Sequence, residues 1–377
     1  MRMHSFGELR THLRTLRLLG VFRFHIDYDK CVVSSTPSEE RVARFYLWGV
    51  LWILLNIQTY CTYMPQHFFM VNYNATGNCY ALINIRTCNV TTVLIYTMLY
   101  VRRCRYARLL ETMLRLNRAS RDPQSSSLYG IHLTLFVLCM INYGHGYWRA
   151  QVRPTSIPIY LFQYGFSYML MGQLVVLFVS FQRILLSSLR CYNRKLLGSR
   201  QLSRECREFY EDFRDYNQII RLCHEDINDC FGLLLLPITG YVLVTTPSGP
   251  FYLISTLFEG LFRTPWRFAF MFLTCVFWSM PWVTLLVLAM GTTNVQREAN
   301  KTAKILAKVP RTGTGLDRMI EKFLLKNLRQ QPILTAYGFF ALDKSTLFKL
   351  FTAIFTYMVI LVQFKEMENS TKSINKF

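Results

Sequence analysis

Ser345, Lys349, Thr352, Thr356 and Gln363 are spaced 4, 3, 4 and 7 residues apart in a stretch that is otherwise mostly apolar. At about 100° per residue, that spacing sets all five on one narrow stripe of a helix. Polar atoms are costly in hydrocarbon and normally face protein or water. The chemistry on offer is therefore solvation. Such a stripe lines an aqueous path, or it pairs with a second polar helix, and the spacing alone allows both.

A second set of residues has the chemistry of a small-molecule pocket, with aromatic walls and a few placed polar groups. It comprises Asn142 and Tyr143, then Gln163, Tyr164 and Tyr168, then Trp278, all within apolar segments. Trp148 and Trp266 fall at segment edges, where aromatic residues belong to the interfacial belt. Arg86 is the one arginine well inside a mid-chain apolar segment, between Asn84 and Asn89. It is suited to bind a polar or anionic ligand group, or else to snorkel to headgroups or pair with Glu259.

Other chemistry is missing from the sequence. There is no phosphate-binding glycine loop, no HExxH and no Gly-x-Ser-x-Gly. The eleven cysteines form no CxxC pair and no His/Cys cluster with metal-ligand spacing. We expect no enzyme, no metal and no cofactor. Nothing matches the paired intramembrane carboxylates of a proton-coupled transporter.

The elements that must position these residues are membrane helices. The 377 residues are 52% hydrophobic and 15% aromatic, with a net charge of +21. Seven apolar segments emerge at 44–64, 79–100, 128–148, 157–183, 230–258, 267–290 and 346–364. Lys and Arg concentrate in alternate intervals: 7 up to Ala43, 7 in 101–127, 8 in 186–229 and 10 in 291–345. The interval 65–78 has none, and the other alternate loops hold few. By the positive-inside rule this reads as an all-α membrane protein with seven transmembrane helices, its N-terminus cytosolic and its C-terminus extracellular. The basic residues thus report topology rather than nucleic-acid binding. With residues 1–43 polar and basic, no cleavable leader is visible and the first span acts as a signal anchor. Asn74-Ala-Thr76 is a glycosylation sequon in the first outer loop, whereas Asn89-Val-Thr91 lies within a span. Cys61 and Cys79 end the first two spans on the same side, within reach of a disulfide.

The cytosolic intervals have helical periodicity. Leu202, Cys206, Phe209, Phe213, Tyr216, Ile220, Cys223 and Ile227 alternate by 4 and 3, a seam for packing along another helix. Val295, Ala299, Thr302, Ala303 and Leu306 form a second apolar face, and Leu316, Met319, Ile320, Phe323, Leu324 and Leu328 a third. Three such faces are best buried in a helical bundle.

The C-terminal residues resemble a known family. Thr356-Tyr357, five apolar residues and Gln363-Phe364 resemble the Thr-Tyr-(five hydrophobic)-Gln-Phe signature of insect gustatory receptors. Upstream, Thr335-Ala336-Tyr-Gly338-Phe-Phe340-Ala-Leu342-Asp343 is similar to that family's Thr-Ala-x-Gly-x-Phe-x-Leu-Asp segment. The resemblance implies a ligand-gated, non-selective cation channel built as a homotetramer or heterotetramer of related subunits. It implies a pore lined by the last helix at Thr352, Thr356, Val359 and Gln363, with Val359 as an apolar constriction that gates by dewetting. It also implies an anchor formed by 291–345 and the long loop 186–229. The ligand would sit in the outer half of 44–290, and the tail 365–377 would lie outside the plasma membrane of a chemosensory neuron. The expected ligand is a non-volatile tastant, bitter among the options, or a contact cue. An odorant-receptor-type channel subunit, a G-protein-coupled receptor and an accessory chemosensory protein are the alternatives.

Overall fold

The computed structural model describes residues 7–63, 75–119, 128–149, 157–198, 214, 216, 218–220, 222–258, 265–308, 315–329 and 334–374. The long helix α6 (Ile157–Gly198) is the central post. Its 42 residues give a rod about 63 Å long at about 1.5 Å per residue. Leu170 through Phe178 are almost wholly buried, so the helix is apolar all round and other helices cover every side.

The N-terminal region is not a solvated tail. Helix α1 (Gly7–Leu18) is amphipathic, with Leu9, Leu13 and Leu16 buried at helical spacing and Arg10, Arg14 and Arg17 between them. His12 Nε2 lies 2.9 Å from the Gln173 carbonyl of α6, and the Thr15 hydroxyl 2.9 Å from that of Tyr129. Gly20 (φ +79°) ends the turn after α1, and a Cβ there would stand 2.4 Å from the Tyr46 ring. A short hairpin follows, β1 (His25–Asp27) against β2 (Val32–Ser34), antiparallel with His25 opposite Ser34.

Helix α2 (Pro37–Tyr63) begins with proline at its first position and the Thr36 hydroxyl accepting from Glu39 N–H. Phe45, Trp48, Trp52 and Leu55 are exposed along it, an apolar flank suited to lipid. It packs on α3 (Ala75–Val101), which turns at Arg102 into α4 (Arg103–Ala119). Helix α5 (Leu128–Arg149) lies against α6.

The fifth expected span, 230–258, is not one helix. An 11-residue π-helix (Leu222–Gly232) leads into α7 (Leu233–Thr245), and α8 (Ser248–Phe258) follows a break. Pro247 causes the break, because it has no N–H to continue the ladder. The carbonyl it leaves is that of Leu243, and at the break the Ser248 hydroxyl donates to the Thr245 carbonyl at 2.6 Å. Helix α9 (Pro265–Ala289) crosses next, followed by α10 (Thr293–Leu306) and α11 (Gly315–Arg329).

The last helix, α12 (Lys344–Ile374), runs ten residues past the expected end of its span at 364. Ser370 and Thr371 hydroxyls back-bond to the Glu366 and Met367 carbonyls and keep their polar groups within the helix. Among the described residues, five helical stretches are long and apolar enough to cross a membrane. They are Cys79–Val101, Leu161–Leu196, Gln218–Ser255, Phe272–Leu306 and Lys344–Thr371, with a shorter apolar helix at Leu128–Asn142. The chain is a multi-pass membrane protein. The expected first span, 44–64, falls on α2, outside those five.

The inner segments pack on one another as the apolar faces require. Of the seam at 202–227, Tyr216 is buried between the rings of Tyr192 on α6 (5.0 Å) and Phe323 on α11 (5.2 Å). Its hydroxyl reaches the Ala299 carbonyl of α10 at 3.4 Å. Tyr216 thus finds partners within its own chain, while Leu202, Cys206, Phe209 and Phe213 of the seam lie outside the described residues. Asn193, Glu298 and Thr302 form a hydrogen-bonded knot beside it. Burial would raise the Glu298 carboxyl, but hydrogen bonds from Lys301 and Asn193 outweigh it and hold the group below its ordinary value.

Candidate functional site

The polar stripe occupies the free face of α12. Leu361 is buried against Tyr80 and Phe251, the Tyr357 ring meets Tyr80 at 6.0 Å, and Lys365 is only 2% exposed. Leu347, Leu350 and Ile354 continue that docked face toward the start of the helix. Val359 lies two residues from Leu361, about 200° around the helix at about 100° per residue. Thr352, Thr356, Val359 and Gln363 are accordingly all exposed. The stripe is no seam inside this chain, and its hydroxyls back-bond along the helix, Thr356 Oγ1 to the Thr352 carbonyl at 2.9 Å. The signature residues divide, with Tyr357 turned inward and Thr356, Gln363 and Phe364 outward.

The charges at the helix ends are also sorted. Lys365 turns into the bundle while Glu366, about 100° round the helix, is exposed on the stripe side. Lys365 therefore does not neutralise Glu366 at that face. At the other end, the Asp343 carboxylate accepts from Thr346 N–H at 2.7 Å and caps the helix, and Lys349 is exposed.

Upstream of that cap, the segment Leu334–Leu342 folds into a tight hairpin. Leu342 N–H donates to Leu334 and Ala336 N–H to Phe340, each at 2.9 Å. Tyr337 (φ +53°) and Gly338 (φ +82°) form its left-handed tip, the conformation that requires glycine at the second position. Four residues grip this hairpin. Asn228 of the π-helix accepts from Thr335 N–H at 2.9 Å. Gly232 lets the two backbones touch, since a Cβ would stand 2.5 Å from the Tyr337 nitrogen. Thr292, before α10, donates to the Leu342 carbonyl. Arg102, between α3 and α4, lies over the Tyr337 ring at 5.6 Å and donates to the Asp229 carbonyl at 2.7 Å. Sequence reasoning found Gly338 but missed Arg102, Asn228, Gly232 and Thr292, which have no pattern of their own.

The pocket residues gather in part. Tyr168 is fully buried, its ring 5.1 Å from His132, 6.3 Å from Phe136 and 5.0 Å from Trp282, which in turn meets Tyr241 at 5.0 Å. Tyr164 packs edge-on to Trp278 at 6.0 Å. The Tyr168 hydroxyl and the Trp282 indole N–H are buried without a hydrogen-bond partner. Gln163 donates to Asn89, whose own amide reaches Gln58 at 3.4 Å, and Cys88 and Thr92 bond to Ser167. Asn142 is half-buried and ties α5 to the Thr274 carbonyl of α9 at 3.3 Å. Arg86 stands apart, exposed on α3, and makes no ion pair among the described residues. Asn74, Glu259 and the side chains of Tyr143 and Cys61 lie outside the described residues, and Cys79 is a free, exposed thiol. His132, Trp282, Tyr241 and Asn89 join the cluster without having been singled out as pocket residues. Trp282 sits one helical turn after Trp278, which is the signal that would have found it.

Comparison with known proteins finds relatives of the whole chain. The profile of the 7tm Chemosensory receptor family matches residues 9–368. Gustatory and pheromone receptor 39a, isoform D, of Drosophila melanogaster is 62% identical over the whole of both chains. Isoform A is 49% identical over 98% of each, and gustatory and pheromone receptor 32a is 27% identical over 97% of this chain and 86% of its own. Among solved structures, the insect olfactory receptor OR5 from Machilis hrabei superposes with a TM-score of 0.69 at 11% identity, covering 96% of this chain and 99% of that one. The same receptor in complex with eugenol matches equally well.

Proposed function

The chain belongs to the 7tm chemosensory receptor family, among the insect gustatory receptors and not among enzymes, and from that premise we propose that it is a subunit of a ligand-gated cation channel. The observation that carries the proposal is the free face of α12, where Thr352, Thr356, Val359 and Gln363 are exposed directly opposite the docked face. A membrane helix with polar groups on the side away from its own bundle needs water or identical neighbours there. Four copies around an axis supply both, with Val359 as the dewetting constriction. Glu366, unneutralised beyond Gln363, favours cations at one mouth.

In this reading residues 1–43 and 291–345 lie in the cytosol and the end of α12 lies outside, consistent with the charge bias. Residues 44–290 carry six spans and the ligand site, 346–364 cross as the pore helix, and Asn74 in the first outer loop is glycosylated. The receptor acts in the plasma membrane of chemosensory neurons, alone or with related subunits. Its ligand is a small molecule read by Tyr164, Tyr168, Gln163 and Trp278, with Asn142 and Tyr143 as further candidates. The relatives' names favour a tastant or a contact pheromone over a volatile odorant. A ligand that prefers the rearranged aromatic cluster shifts the population toward the open state. The hairpin Leu334–Leu342 passes that shift to the base of α12, because it is bonded to the π-helix on one side and continuous with the pore helix on the other.

The test is permeation. Gln363→Ala should alter ion selectivity or conductance under voltage clamp while surface expression stays intact. Unchanged permeation in a functional receptor would remove the pore assignment. The orientation is tested apart from this, by an epitope at Phe377, which should be detected on intact cells.

A further inference from the structure

An open cleft lies where the N-terminal segment meets α2, α3 and α4, away from the aromatic cluster. Its lining is amphipathic. Phe22, Leu47 and Leu99 give it an apolar side, and Arg23, Arg103 and Glu40 a charged one. The surrounding charges do not balance. Arg17 and Arg23 flank Glu39, while Arg44 and Arg103 flank Glu40, so four guanidinium groups face two carboxylates. The Arg23–Glu39 contact is long, 3.9 Å, and the Arg23 guanidinium lies over the Tyr46 ring at 4.4 Å. Three atoms are buried with no hydrogen-bond partner: Arg23 Nε, Arg103 Nη1 and Glu39 Oε2. Buried charged donors left unpaired are costly, and a site that keeps two of them beside an apolar wall is built for a ligand with both characters.

We propose that this cleft binds an anionic phospholipid with a hydroxylated headgroup. The phosphate takes the free donors of Arg23 and Arg103, since guanidinium groups match phosphate oxygens in geometry and charge. A headgroup hydroxyl donates to the carboxylate of Glu40, which lines the cleft. The acyl chains leave along Phe22, Leu47 and Leu99. Basic pockets between membrane helices at the cytosolic border have this use. The choice of the inner leaflet rests on the proposed orientation; the chemistry of the cleft does not.

The experiment uses the full chain in detergent, with short-chain phosphatidylinositol phosphate as the probe and phosphatidylcholine and free inositol phosphate as comparisons. Binding is read by ligand-dependent thermal stabilisation and by titration. The phosphoinositide should raise the melting temperature and phosphatidylcholine should not. The double variant Arg23→Gln/Arg103→Gln should weaken phosphoinositide binding on the order of tenfold or more, and Arg41→Gln, an exposed arginine outside the lining, should leave it unchanged. No stabilisation of the unaltered protein, or equal stabilisation by phosphatidylcholine, overturns the proposal without needing any variant to fold. Undiminished binding by a folded double variant overturns it too. Free inositol phosphate binding as tightly as the lipid would overturn the lipid assignment and leave an anion site. Detergent exposes both faces of the protein, so none of these outcomes bears on orientation, which the Phe377 epitope tests.

Discussion

Gly232→Ala is the substitution that separates gating from permeation. The added Cβ would sit 2.5 Å from the Tyr337 nitrogen and 2.7 Å from the Thr335 oxygen, both backbone atoms that cannot rotate away. Ordinary contact needs about 3.4 Å or more, so the hairpin must retreat from the π-helix by most of an ångström. Overpacking of this kind costs about 1–3 kcal/mol. The retreat also stretches the Asn228–Thr335 bond, now 2.9 Å, worth about 1 kcal/mol. If the hairpin couples the ligand-bearing helices to α12, a loss of about 2 kcal/mol moves the half-activating concentration roughly thirtyfold. Conductance and selectivity of the channels that do open stay the same, because the stripe at Thr352, Thr356 and Gln363 is untouched. The assay is concentration–response and unitary current under voltage clamp, with surface labelling for expression. Gly338→Ala is the milder control. Nothing lies within 4 Å of its Cβ, so only the φ of +82° costs, about 1–2 kcal/mol. Normal activation of a surface-expressed Gly232→Ala receptor would refute the coupling. A changed unitary conductance would refute the separation.

Three further outcomes follow from burial and charge. Leu361→Ala, on the docked face of α12, should destabilise the solubilised protein by about 2–3 kcal/mol, and Thr356→Ala on the free face by no more than about 0.5, read by thermal unfolding. Tyr168→Phe removes a buried hydroxyl that has no partner, so stability should hold or rise slightly while the response to the activating ligand changes; an unchanged response would take Tyr168 out of the site. Burial pulls the His12 imidazole down to about 4, against the hydrogen bond to Gln173 and with some help from nearby His132. The folded state thus resists a proton that the unfolded chain accepts near 6.5. The stability His12 contributes is complete above about 6.5 and is lost as pH falls toward 4, on the order of 3 kcal/mol, and His12→Gln should flatten that acid slope in melting experiments.

The periodic parts of this chain were legible in its sequence. All seven apolar segments fall on long helices or a helix pair, and the stripe on α12 sits where a 100° wheel puts it, because periodicity survives whatever a helix packs on. The elements that escaped were those decided by what the chain meets. Leu9, Leu13 and Leu16 are too few against their arginines to stand out, yet they close over α6. The segment 230–258 has the length of one long span, and only the local chemistry of Pro247 and Ser248 cuts it in two. Of the pocket set, Gln163, Tyr164 and Tyr168 are all buried because neighbouring helices cover α6 on every side, whereas Arg86 is exposed on α3. Facing direction depends on tertiary neighbours, and a single segment does not encode them.

The same distinction resolves the charges along α12. In sequence, Lys365 stands beside Glu366 and offsets it, and Lys349 has two outlets, snorkelling to lipid or pairing with Asp343. In the fold neither pair forms. Neighbours in sequence are about 100° apart on a helix, so Lys365 turns into the bundle where Glu366 does not. Asp343 spends its carboxylate on the Thr346 N–H, as a residue at a helix start should. What remains on the free face is a lysine at the start of the helix and a glutamate beyond Gln363, about 25 Å further along at about 1.5 Å per residue. Repeated around a four-fold axis, the glutamates form a ring that concentrates cations at one mouth, while the lysines, on long flexible stems, swing clear of the axis into headgroups. Glu366→Gln should therefore lower cation over anion selectivity, and Lys349→Gln should change it little. A strong effect at Lys349 with none at Glu366 would place the selective end of the pore at the opposite membrane face.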